Sequence, residues 1–272
     1  MKPLILYKYR QVNELSVNAL EQGKMWYSVP KKLNDPHDVT ISWEKNFTAK
    51  QIVNDFVMNR DKGIPLEGQT SMGELVKKYL KEGYGYKKIL DMLDELFMHI
   101  DKKTQRELLQ DTLYYNEILL SKMGILSLSE ESLNTLMWAH YANSHKGFCM
   151  GFECHETNVL GQYANKVHYV EQIESLQIAA FSMAGNDDEL LLELAHRKSK
   201  DWEYEKEWRI LKPKGDCLYP YPGMLKEVIL GINTTIENES KIRDAVARSD
   251  YKPRYKRVVK KDKSLQFAVI DC

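Results

Sequence analysis

The sequence has no excess charge of either sign, because 39 lysines and arginines balance 39 aspartates and glutamates. Without a net positive charge the chain is not expected to bind nucleic acid nonspecifically through its overall electrostatic field. A local basic patch that binds nucleic acid is still compatible with the sequence. No stretch approaches twenty apolar residues, and the apolar start at residues 4–6 is too short for a signal peptide or a membrane span. We therefore expect no membrane partner.

Cysteine is also sparse. The four cysteines show no CxxC spacing, and four scattered cysteines in 272 residues do not describe a disulfide framework. A reduced, cytoplasmic protein is expected. The cysteines are Cys149, Cys154, Cys217 and Cys272.

What the chain does have is enough apolar residues, 43%, for a large core. We expect a single α+β domain over residues 1–272, with a mixed central sheet that joins N-terminal strands (4–10 and 25–30) to C-terminal ones. Helical spacing from about 47 to 122 predicts an insertion of three or four helices. Further helices are predicted at 187–202 and 236–247. Strands at both ends with helices between them favour α+β over a doubly wound sheet.

The densest cluster of functional residue types is DWEYEKEWRIL, residues 201–211. If it is a strand, alternation places Glu205, Glu207 and Arg209 on one face and Trp208 on the other. In a cleft, one carboxylate would be held by the arginine while the other stays free for chemistry. The alternative is an edge strand whose charges pair with a neighbour at about 0.2–1 kcal/mol per pair.

A second cluster is MWAHYANSHKGFC, residues 137–149, in which His140 and Tyr141 lie on a predicted helix and His145 at its exit. Imidazoles titrate near neutral pH, so either histidine could act as acid, base or phosphate donor. The spacing departs from known zinc ligand patterns, and no metal is expected. The alternative is that both histidines are structural and lie at the edge of the core or of a cleft with their ring nitrogens hydrogen-bonded.

Two shorter stretches complete the candidates. In LNDPHD, residues 33–38, Asn34 and Asp35 can hydrogen-bond the backbone of a proline turn, while His37 and Asp38 could instead bind a metal. In LYKYR, Arg10 stands at the exit of the first strand, where a guanidinium binds phosphate or pairs with an acidic neighbour.

These stretches, LYKYR, WYSVPKKLNDPHD, ILSLSE with MWAHYANSHKGFCMGFE, and DWEYEKEWRIL, resemble in that order the bacterial domain-of-unknown-function family 2971. The resemblance runs from about residue 6 to 211. Leu33 and His37 depart from the family's usual aromatic residues. The family name carries no activity.

The order of a basic strand, a helix ending in glycine, a WYS strand and a late Glu-x-Glu strand is also similar to ADP-ribosyltransferase-like folds. That similarity implies that NAD is the substrate and that Arg10, with Tyr27 or Ser28, positions it. Glu207 would act at the nicotinamide ribose and Tyr27 or Tyr141 would stack on the nicotinamide. The predicted catalytic residues are Glu207, Glu205, Arg209 and His140, and the predicted NAD-binding residues are Arg10, Tyr27, Ser28, Asn34, Asp35, Tyr141 and His145.

Three functions remain open on the sequence. The first is an NAD-consuming transferase or glycohydrolase, a toxin or defence effector, with a protein or nucleic-acid target. The second is a metal-dependent nuclease or phosphodiesterase that uses Asp35, His37, His140, His145 and a glutamate. The third is a noncatalytic binding module. A homo-oligomer is left open.

Overall fold

A computed structural model describes residues 4–39, 43–44, 78–85, 87–89, 91–92, 95, 120–172, 176–177 and 192–272. Contacts divide the chain into two compact units. The first comprises Met1–Pro36, Lys122–Tyr169 and Lys198–Cys272, and the second comprises His37–Ser121 and Val170–Arg197. Most of the predicted helical insertion at 47–122 lies outside the described residues.

The described strands are mostly short. They are β1 (Ile5–Arg10), β2 (Lys24–Tyr27), β3 (Trp43–Glu44), β4 (Gly124–Ser129), β5 (Phe148–Glu153), β6 (Asn165–Lys166), β7 (His168–Val170), β8 (Leu176–Gln177), β9 (Arg197–Ser199), β10 (Glu207–Lys212), β11 (Cys217–Pro220), β12 (Leu225–Leu230), β13 (Arg254–Lys260) and β14 (Phe267–Asp271).

The helices of the first unit begin at polar caps. They are α1 (Glu14–Glu21), α2 (Thr135–Tyr141), α3 (Val159–Tyr163) and α4 (Ile236–Ala247). Asn13 and Ser16 form a reciprocal capping box at α1, and the Thr235 side chain accepts the Asn238 amide at α4. These caps satisfy amide groups that the first turn of a helix leaves without partners. Two 3-10 turns cover Pro30–Lys32 and Lys200–Glu205.

An eight-stranded sheet forms the centre of the first unit, in the order β14-β13-β12-β5-β1-β4-β10-β6. Its neighbouring strands are antiparallel except β12 and β13, which are parallel and are connected through α4. A parallel pair needs such a crossover, since a tight turn can only return the chain antiparallel. β2 pairs with β11 in a separate two-stranded ribbon, and β3 pairs with β8 in the second unit. The α+β class is therefore confirmed.

Both faces of this sheet are covered. Strand β5 shows the division, because Phe148, Met150 and Phe152 join an apolar cluster with residues of α1 and α4, whereas Cys149 faces a smaller cluster around Trp138 of α2. Side chains that alternate along a strand point to opposite faces, so a strand buried on both sides is apolar throughout. On β10, Trp208 and Ile210 belong to the first cluster, and Glu207 and Arg209 lie on the opposite face.

The structure corrects two local expectations. Within the predicted helix at 187–202, residues 192–195 are helical, but the helix does not continue, because β9 and a 3-10 turn follow. The second predicted N-terminal strand, β2, lies outside the central sheet and reaches it through the Ser28–Ile125 bridge. Helix α4 has the bounds that its periodicity predicts.

Candidate functional site

The glutamate-rich stretch does not form one continuous strand. Glu205 ends a 3-10 turn, Lys206 takes a left-handed conformation with φ 44°, and β10 begins at Glu207. The Ser129 hydroxyl donates to the Glu205 carbonyl at 2.6 Å, which ties this turn to β4. The strand thus starts at the second of the two predicted positions, Glu205 or Glu207, and the alternation that would place Glu205 on one face with Glu207 fails, because the left-handed Lys206 breaks it.

The two carboxylates nevertheless meet, in a buried network with two cations. The Lys198 ammonium lies 2.6 Å from Glu205 Oε2 and 3.1 Å from Glu207 Oε2. Arg209 donates from Nε to Glu207 Oε1 at 2.8 Å and from Nη2 to Oε2 at 3.0 Å. All four side chains are at most 4% exposed. Two positive and two negative charges share this buried space, which is how proteins accommodate buried ions.

The carboxylates of Glu205 and Glu207 have more hydrogen-bond and ion-pair partners than the sequence predicts. We expected one carboxylate to stay free, but both are engaged. Lys198 and Arg209 hold the Glu207 carboxylate, and Tyr141 donates its hydroxyl to Glu205 Oε1 at 2.6 Å. The backbone amide of Glu207 also donates to the Tyr169 hydroxyl at 2.7 Å. Tyr141 and Tyr169 are both partly buried, whereas the four charged side chains are buried.

The two carboxyl groups have opposite pKa shifts. Burial alone would raise the pKa of Glu207, but the charges of Arg209 and Lys198 outweigh it and hold that pKa at about 2. Burial raises the pKa of Glu205 above its ordinary value, as does the negative charge of Glu207, and Lys198 only partly opposes this. Neighbouring groups whose pKa values are pushed apart are typical of acid and base pairs in active sites.

Lys8 is a further cation near the network. Strands β1 and β4 pair at Tyr7 and Ser129, and the Lys8 ammonium donates to the Ser127 carbonyl at 2.6 Å. Burial, and secondly the charge of Arg10, lower the Lys8 pKa to about 7, while Glu207 and Glu205 act in the opposite direction.

Aromatic rings lie beside the network. The Lys198 ammonium sits 4.9 Å from the centroid of Trp202, whose ring is 6.0 Å from Tyr204 and 6.4 Å from His140. His140 is exposed, and both Trp202 and Tyr204 are partly buried. The structure therefore places an aromatic surface, formed by His140, Trp202 and Tyr204, next to the buried charges.

Arg10 lies apart from this network. Its side chain is partly buried, and burial lowers its pKa to about 10. Among the described residues no hydrogen bond or ion pair joins its guanidinium to Glu205 or Glu207. Tyr7 and Glu207 are both register partners of Ser129 and therefore share one face of the sheet, so alternation along β1 places Arg10 on the opposite face. The structure therefore does not bring Arg10 and Glu207 together.

Three other residues predicted to bind NAD, namely Tyr27, Ser28 and His145, make packing or backbone contacts away from the two glutamates. Tyr27 is buried and packs edge-on against Tyr219 at 4.8 Å, and Ser28 exchanges backbone hydrogen bonds with Ile125. His145 packs against Phe267 at 5.4 Å, and burial lowers its pKa. The structure does not show these three residues in contact with the carboxylates.

The LNDPHD loop forms the turn that the sequence predicts. Residues 36–39 are in turn conformation, Asn34 is exposed and Asp35 is buried. No group of three or more histidine, cysteine, aspartate or glutamate side chains with the geometry of a metal site is found in the part of the chain that the structure describes. Asp35, His37, His140 and His145 are thus not gathered there.

Sequence reasoning missed four residues of the site, namely Lys8, Tyr169, Lys198 and Trp202. Lys198 reaches the carboxylates from another segment, and Tyr169 reaches the backbone amide of Glu207, which no local pattern reveals. Trp202 belongs to the stretch DWEYEKEWRIL, and its position just before Glu203 and Glu205 could have indicated a place in the site. Lys8 had no such signal, because alternation along β1 places it on the face of Arg10, opposite Glu207.

Comparison with known proteins confirms one resemblance. Residues 137–210 match the model of a family described as Protein of unknown function (DUF2971), which is the later part of the resemblance predicted over about 6–211. This segment contains most of α2, Lys198 and both glutamates. No curated protein and no solved structure matches the chain significantly. None of the described helices is both long enough and apolar enough to cross a membrane.

Proposed function

We propose that the protein is an enzyme that breaks the bond between nicotinamide and ribose in NAD and transfers ADP-ribose to an acceptor hydroxyl or to water. The observation that carries the proposal is the pair Glu205 and Glu207, which share one ammonium but have opposite pKa shifts. The matched family has no assigned activity, so the proposal rests on this chemistry.

The ionised carboxylate supplies the electrostatic part of the reaction. When the C1′–N1 bond breaks, its electron pair leaves with the nicotinamide nitrogen and the ribose develops oxocarbenium character. Glu207 is anionic down to low pH and stabilises that positive charge, as carboxylates do in glycoside hydrolysis. Arg209 holds the carboxylate in place through two hydrogen bonds.

The second carboxyl group suits proton transfer. As the acceptor oxygen bonds to C1′, its proton has to leave, and Glu205 takes it and later releases it to solvent. A carboxylate with a raised pKa is a stronger base than an ordinary one, which favours this role. Tyr141 and Lys198 orient its two oxygens.

Binding of the substrate would use the surrounding groups. The exposed edge of the aromatic surface at His140 and Trp202 offers a stacking partner for a nicotinamide or adenine ring. Because Glu205 and Glu207 are only 3% and 2% exposed, the ligand has to approach past one of the partly buried rings that border them, Tyr141 or Tyr169.

The test is the release of nicotinamide from NAD by the purified protein, followed by chromatography with water or candidate protein and nucleic-acid acceptors. Glu205→Gln and Glu207→Gln should each lower the rate by about 100-fold or more, since general-base and electrostatic groups contribute factors of this size. Glu227→Gln is the matched control, because Glu227 is equally buried in the same sheet and is paired with Lys256.

The outcomes separate the alternatives. Loss of activity in the first two variants but not in the control supports the proposal. An equal loss in all three shows that the buried charges only stabilise the fold. Absence of NAD cleavage by the wild-type protein with every acceptor refutes the proposal, and a nuclease activity removed by a chelator would identify the metal-dependent function instead.

A further inference from the structure

A cleft of about 910 Å³ lies in the first unit, away from the glutamate network. Its walls come from three segments: residues 157–162 at α3, 221–226 at the start of β12, and 250–254 between α4 and β13. None of the residues assigned to the proposed reaction lines it. Its size is within the range of pockets that hold cofactors and other small ligands.

The rim of this cleft is positively charged. Lys252 is exposed and has no carboxylate partner among the described residues. Arg254 is 72% exposed, and its nearest carboxylate oxygen, Glu227 Oε2, is 3.9 Å away and already held by Lys256 at 2.6 Å. Both rim cations are therefore available to an anion, and a flexible lysine beside a forked guanidinium is a common arrangement for binding phosphate.

The wall of the cleft is aromatic and apolar. Tyr251 packs against Tyr221 with ring centroids 4.9 Å apart, and a Cβ added at Gly23 would lie 2.6 Å from the Tyr251 ring. The ring is thus held in place from two sides. Met224, also in the lining, is 57% exposed and offers a polarisable apolar surface to a ligand.

We propose that this cleft binds a nucleoside phosphate, with the base against Tyr251 and Met224 and the phosphates on Lys252 and Arg254. The combination of a fixed aromatic wall and two available cations matches the two halves of such a ligand. Asp250, also in the lining, offers an acceptor for an amino or hydroxyl group of the ligand. The site is independent of the proposed reaction, because it shares no residue with it.

Fluorescence anisotropy of N-methylanthraniloyl-ADP with the full chain tests this site. We expect Lys252→Ala/Arg254→Ala to weaken binding by about tenfold or more, since it removes the charge-assisted contacts to phosphate. Lys260→Ala/Lys261→Ala is the matched control, because it removes the same charge from exposed positions outside the cleft, and it should change the dissociation constant by less than about twofold. Met224→Glu should also weaken binding.

The remaining outcomes overturn the proposal. An equal loss in both double variants means nonspecific attraction, and no change in the cleft variants means that the probe binds elsewhere, for example at the network. Absence of binding at millimolar probe also refutes it. Glu207→Gln should bind the probe as the wild type does, so failure of the NAD proposal would not affect this result. Competition by tripolyphosphate as strong as by ADP would show a charge-only site.

Discussion

Glu207→Gln should change the way in which stability depends on pH. A carboxyl whose pKa is 4.5 in the unfolded chain and about 2 in the fold stabilises the fold at pH 7 by about 3 kcal/mol, since each pH unit corresponds to about 1.4 kcal/mol. A lowered pKa means that this stability is complete above pH 4.5 and is lost as the pH falls towards 2. The glutamine does not titrate, so the variant lacks this contribution at every pH.

The assay is urea denaturation of both proteins between pH 7 and pH 2, followed by tryptophan fluorescence. Groups that do not interact with Glu207 titrate alike in both proteins, so their contributions cancel in the difference between the two free energies of unfolding; Glu205, whose pKa the Glu207 charge raises, is the exception. That difference should shrink by about 3 kcal/mol as the pH falls through the window. A difference that stays constant with pH would refute the idea that Arg209 and Lys198 keep Glu207 ionised.

Three other changes have expected outcomes. Lys198→Met leaves buried carboxylates without their shared cation and should lower the free energy of unfolding by about 3–5 kcal/mol in the same assay; a loss below 1 kcal/mol would show that the ammonium does not hold the network. Tyr141→Phe removes the donor to Glu205 and should cost about 1–3 kcal/mol, measured likewise, whereas an unchanged stability would mean that this hydrogen bond is not formed in solution. Gly23→Ala should lower the melting temperature, because φ is 63° and the new Cβ would lie 2.6 Å from the Tyr251 ring. Gly85→Ala, where a Cβ would meet no atom within 4 Å, is the control and should not lower it. Equal effects of the two substitutions would contradict the packing described.

The sequence predicted local structure well where apolar residues recur at a single spacing, either that of a helix or that of a strand. Helix α4 has the predicted bounds because its cap and its apolar spacing agree, and β10 places Trp208 and Arg209 on opposite faces as alternation requires. The prediction failed at Glu205, because a left-handed Lys206 interrupts the strand, and such a conformation in a non-glycine residue has no clear sequence signal.

The candidate site was predictable in part for a similar reason. Glu205, Glu207, Arg209 and Tyr141 could be proposed because they belong to dense polar stretches. Lys198 could not, since its role depends on how β9 and the following turn return to β10. The pKa shifts depend on burial and on these distant partners, which a linear pattern does not contain.

Titration of the two carboxyl groups by carbon-13 NMR, with the protein labelled at the glutamate side-chain carboxyl carbons and the signals assigned through Glu205→Gln and Glu207→Gln, examines the basis of the proposed chemistry. We expect the Glu207 signal to remain that of a carboxylate until the pH approaches about 2 or the protein unfolds. The Glu205 signal should titrate above the ordinary value of 4.5. If both signals titrate together near 4.5, the network does not divide the roles of acid–base and electrostatic group between the two glutamates, and the proposed reaction loses its support.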